Sequence, residues 1–76
     1  MTDPESEAWE LSGNFINGNR SFVLDEIMGA ADHSTAHATY LAVAVALQLS
    51  KYDGDQDYQP RVAAFFNLLK ARMPSL

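Results

Sequence analysis

The sequence predicts an all-α protein: a small four-helix, bundle-like domain whose third helix is central. Three observations carry that expectation. Apolar residues recur at helical spacing in four segments. No alternating apolar–polar run lasts long enough to make a strand. Gly, Pro, Asn and Asp punctuate the joins between segments. With 76 residues there is room for one domain, spanning 1–76, and its core has to be thin.

Helix one is expected over 4–16. Asp3 is the predicted N-cap, Pro4 suits the first helical position, and Glu5 and Glu7 lie where the helix macrodipole favours negative charge. At about 100° per residue, Ala8, Trp9, Leu11, Ser12, Phe15 and Ile16 share one broad face, which puts Trp9 in the core. Glu7, Glu10 and Asn14 share the opposite face.

The stretch Asn17-Gly18-Asn19-Arg20 falls where that periodicity stops. Glycine suits the left-handed turn that follows a helix, and Asn19 stands as N-cap before the next apolar pattern, so the stretch reads as a helix–helix corner. Helix two then gathers Val23, Leu24, Ile27 and Met28 on one side, and Gly29 is expected to end it.

Helix three is expected over 34–51, with Ser34 as N-cap. The segment A-H-A-T-Y-L-A-V-A-V-A-L-Q-L is apolar nearly all round, as in a helix at the centre of a bundle or covered in an oligomer. Its apolar surface exceeds what one thin bundle covers, which keeps a homodimer open. His33, His37, Tyr40, Gln48 and Lys51, with Ala44 among them, form a stripe predicted to face solvent.

The segment K-Y-D-G-D-Q-D-Y-Q-P is the most loop-like in the chain. Helix four is expected to start near Asp57 as N-cap, with Pro60 in its first turn and an apolar stripe of Tyr58, Val62, Phe65, Phe66, Leu69 and Met73. Lys70 and Arg72 sit at the negative end of its dipole, and Pro74 stops it.

Composition narrows the function. The absence of cysteine removes disulfides, thiolate catalysis and cysteine-based zinc sites, and it accords with a reducing cytoplasm, where the protein is expected. The N-terminal residues are acidic, the opposite of a signal peptide's basic start. The most apolar run, residues 36–49, is shorter than the roughly 20 residues of a membrane span, so no membrane association is expected. Net charge is −5, and all ten acids precede Tyr58. Such a chain is repelled by phosphate backbones, which argues against direct nucleic-acid binding. Arg61, Lys70 and Arg72 are expected to pair with the acids instead.

Candidate chemistry is sparse. His33 and His37, at i and i+4, with Asp32 beside them, have metal-ligand spacing, but no glutamate lies between them and no third His or Cys exists. Asp53, Asp55 and Asp57 resemble the opening of an EF-hand loop. Tyr58 then stands where that loop needs glycine, and Ala64 where it needs glutamate. His33-Ser34-Thr35 with His37 lacks the elbow and oxyanion turn of a nucleophilic site, and the four glycines are not grouped as a phosphate loop. Neither catalysis nor a cofactor is expected.

What remains is surface. Glu5, Glu7, Glu10 and Asn14 of helix one, with Asp3, Asp25 and Glu26, are the candidate partner-binding residues, an acidic face suited to a basic groove. In size, acidity and lack of catalytic residues the chain resembles, as a class and through no motif, the small counter-defence proteins of phages and plasmids, including anti-CRISPR and anti-restriction proteins. That resemblance implies a non-enzymatic inhibitor docking on a larger protein or protein–nucleic-acid complex. The alternative is a small metal-binding regulatory or enzymatic module using Asp32, His33 and His37.

Overall fold

The computed structural model describes residues 4–72. It holds four helices: α1 (Pro4–Ile16), α2 (Arg20–His33), α3 (Thr35–Asp53) and α4 (Pro60–Arg72). No strand occurs among the described residues. The third helix packs against the other three and is the centre of the domain, as its all-round apolar sequence requires. Asp3, Met73 and Pro74, expected to cap helix one, extend the stripe of helix four and stop it, lie outside the described residues.

The core forms where the four apolar stripes converge. Ala8, Leu11 and Phe15 of α1 and Val23, Leu24 and Ile27 of α2 close over Leu41, Val45 and Leu49 of α3, with Phe65 and Leu69 of α4 completing it. Phe15 and Phe65 meet edge to face, their ring centroids 5.7 Å apart at 85°. That geometry places the positive ring edge against the negative ring face. Among the described residues, every buried side-chain nitrogen or oxygen has a hydrogen-bond partner. Ser12, buried on the inward face of α1, donates its hydroxyl to the Trp9 carbonyl at 2.8 Å.

The first corner is built as glycine dictates. Gly18 has φ +96. The Gly18 N–H donates to the Phe15 carbonyl at 3.2 Å and the Asn19 N–H to the Asn14 carbonyl at 2.9 Å, the paired bonds of a Schellman termination. Asn19 precedes α2 but makes no side-chain cap; its amide donates instead to Asn14 Oδ1 at 3.1 Å. The Asn14 and Asn19 side chains thus bond to each other across the corner.

Four expectations need correction. Gly29 does not end helix two, which runs on to His33. One helical glycine costs about 1 kcal/mol relative to alanine. Ala30 packs against the core just beyond Gly29, and that packing offsets the cost. The break falls at Ser34, whose extended backbone (φ −158, ψ 115) serves both neighbours. Its N–H donates to the Ala30 carbonyl at 2.9 Å, and its Oγ accepts from the His37 N–H at 3.2 Å.

Trp9 is not a core residue but 64% exposed. The inward face of α1 is centred between Ala8, Leu11, Ser12 and Phe15, and Trp9 lies roughly 110° round the helix from that centre.

The polar stripe of helix three coincides with its solvent face only at Tyr40 and Lys51. His33 belongs to α2, while His37, Ala44 and Gln48 are half-buried on the side of α3 that meets α1. The outward face is largely apolar: Tyr40, Val43 (50% exposed) and Leu47 (61%), with Lys51 at its end.

Finally, α4 starts at Pro60, and its first turn is held by Asp53 rather than Asp57. Phe66 of the expected stripe is half-exposed, and Tyr58 precedes the helix and is exposed.

Candidate functional site

The helices sort the expected site residues into two groups. Glu5 and Glu10 flank Trp9 on the outer side of α1. With Ser6 and with Gln48 of α3 they line one shallow depression. Gln48 also lines an adjoining one, with Lys51 and Tyr52 beyond Trp9. An exposed indole thus stands between a carboxylate pair on one side and a tyrosine and lysine on the other. It is held there because the register that buries Ala8, Leu11 and Phe15 turns position 9 outward.

Glu7 belongs elsewhere. It faces the α2–α3 corner, where Glu7, Asp25, Glu26, His33 and His37 line a separate depression. Glu7 Oε2 lies 3.9 Å from His37 Nε2, a contact that ties α1 to the start of α3. Asp25 is held by Arg72 Nη1 at 2.8 Å. The acids therefore gather in two places rather than one. Asn14 joins neither, because its amide donates to the Glu10 carbonyl at 3.0 Å and accepts from Asn19.

His33 and His37 do not share one helix face. His33 is the last residue of α2, and the extended Ser34 separates it from α3. Among the described residues, no group of three or more His, Cys, Asp or Glu side chains could hold a metal ion. Nor is Asp53 open to a calcium ion. It ends α3, buried, with both carboxylate oxygens engaged by Arg61. Two of the three C-terminal cations, Arg61 and Arg72, are thus paired with acids as expected.

A feature of different character lies on the opposite flank. α2 and α4 diverge across α3 and leave a cleft of about 310 Å³ between them. Ile27 and Ala31 form one wall, Phe66 and Leu69 the other, and Ala38 and Ala42 the floor. Helical periodicity does not anticipate it, because Phe66 belongs to the stripe expected to be buried.

No protein-family model matches the chain, and neither do the curated proteins or the solved structures it was compared with. No helix among the described residues is long and apolar enough to cross a membrane.

Proposed function

We propose that the chain is a non-enzymatic interaction module that docks its Trp9 face on a basic surface of a larger protein or protein–nucleic-acid complex. One observation carries this reading: the chain's single tryptophan is 64% exposed between Glu5 and Glu10, with Tyr52 close by. Leaving an indole in water forfeits one of the largest burial gains open to a thin core. Buried in a partner's pocket, the same ring is the residue type most enriched among interface hot spots. Carboxylates around it raise the association rate with a cationic surface and set orientation. Lys51 on the far side opposes a second cation there and favours one docking direction.

In its most specific form the protein is an inhibitor that occupies a nucleic-acid-binding groove, a reading that rests on its class-level resemblance in size and acidity to counter-defence proteins of the anti-CRISPR and anti-restriction type. The test is affinity capture from the source cell with the wild-type chain, Trp9→Ala and Glu10→Lys. One basic partner recovered by the wild type and lost by both variants, and displaced by its own nucleic acid, supports the proposal. Equal recovery of that partner by all three proteins refutes it.

A further inference from the structure

The cleft between α2 and α4 has the composition of a ligand site. Its floor residues, Ala38 and Ala42, lie one turn apart and are too small to fill the space above α3, so a trough runs along that helix. Beside the cleft Arg72 reaches from α4 to α2, donating to Asp25 Oδ1 at 2.8 Å and lying 3.8 Å from Met28 Sδ. Small residues on α3 thus leave the cleft, and an exposed salt bridge joins α4 to α2 beside it. Phe66 and Val43 remain about half-exposed along it. Its 310 Å³ stands at the lower end of the range for small-molecule sites, which runs from about 300 to 1,000 Å³.

Its charge is opposite to that of the molecule. In a chain of net charge −5, no carboxylate among the described residues lines the cleft, and the single ionisable lining residue among them is Lys70. Thr35 and Thr39 are its other polar side chains, and the Thr39 hydroxyl already donates to the Thr35 carbonyl at 2.8 Å. An apolar trough with one cation at its edge fits a molecule with a flexible apolar tail and a single negative head.

We propose that this cleft binds a free medium-chain carboxylate, the tail lying over Ala38 and Ala42 and the head group meeting Lys70. The proposal is independent of the Trp9 face, which is formed by α1 and the C-terminal end of α3 and shares no lining residue with the cleft. Tail burial contributes up to about fourfold in affinity per methylene removed from water, less in a half-open trough. The partly exposed ion pair adds a factor of roughly two to five.

The test is NMR titration of the full chain with hexanoate, octanoate and decanoate below their micellar concentrations. Saturable shifts of the Ala38, Ala42, Val43 and Leu69 methyls are expected, with affinity rising along the series. Lys70→Glu should weaken decanoate by at least about threefold and leave the response to 1-decanol unchanged. Absence of saturable shifts at those methyls, or decanoate binding indifferent to Lys70→Glu, would overturn the proposal. So would sedimentation as a dimer that Val43→Asp converts to monomer, because a second copy would then be the occupant.

Discussion

Asp53, the last residue of α3, reaches across the loop to hold both the backbone and the side chain of Arg61 at the start of α4. Oδ2 accepts from the Arg61 N–H at 3.1 Å and Oδ1 from Arg61 Nη1 at 3.0 Å, with the carboxylate buried. One side chain thus caps α4 and fixes its angle to α3. Asp53→Ala removes a helix cap and a charge-assisted bond together, a loss of about 2 kcal/mol or more. In a domain of this size each kcal/mol shifts Tm by about 4–8 °C. Thermal melting should place this variant at least roughly 8 °C below the wild type, while Asp57→Ala, which the sequence alone marks as the cap, should melt within a degree or two of it.

Phe65 is the residue through which α4 joins the core, fully buried and edge to face with Phe15. Phe65→Ala leaves a cavity and should cost about 3–5 kcal/mol. That is a large share of the total for so small a domain. Urea unfolding should report a large fall in the midpoint, whereas the same truncation at half-exposed Phe66 should cost far less.

Two glycines predict opposite signs. Gly18 has φ +96, where a Cβ is strained, so Gly18→Ala should destabilise by about 1 kcal/mol. Gly29 sits inside α2 with open space where its Cβ would be. Gly29→Ala should stabilise by about 0.5–1 kcal/mol. Melting both variants beside the wild type checks the pair in one experiment. A rise for Gly18→Ala, or a fall for Gly29→Ala, contradicts the assignment of corner and helix interior.

His33 and His37 belong to different helices, and among the described residues no group of three or more His, Cys, Asp or Glu side chains could hold a metal ion. Zinc at stoichiometric concentration, or a chelator, should therefore leave Tm unchanged. A metal-dependent rise that His37→Ala abolishes would restore the metal-module reading.

The number, order and centre of the helices were legible because four apolar stripes recur at helical pitch and the Asn17-Gly18 signal is local. What was lost depended on tertiary choice. In α3, apolar on every side, polarity could not mark the outside: His37 and Gln48 turn toward α1, and Val43 and Leu47 are left in water. Trp9 sits at the edge of its stripe, where hydrophobicity argues inward and angle argues outward; the angle prevailed. The role of Asp53 spans a loop, and no spacing rule anticipates a cap supplied from the preceding helix. The split of the acids into two groups follows from Glu7 turning to the α2–α3 corner while Glu10, about 60° further round α1, borders Trp9, which only the packing of α2 and α3 decides.

Because Trp9 is the chain's single tryptophan, it reports directly on the proposed docking face. Its fluorescence should be that of a water-exposed indole in the free protein. Titration with the captured basic partner should shift the emission to the blue, protect it from acrylamide and saturate at one to one, with the transition weakening as salt is raised. A partner that binds while the Trp9 emission and quenching stay unchanged would contradict the account.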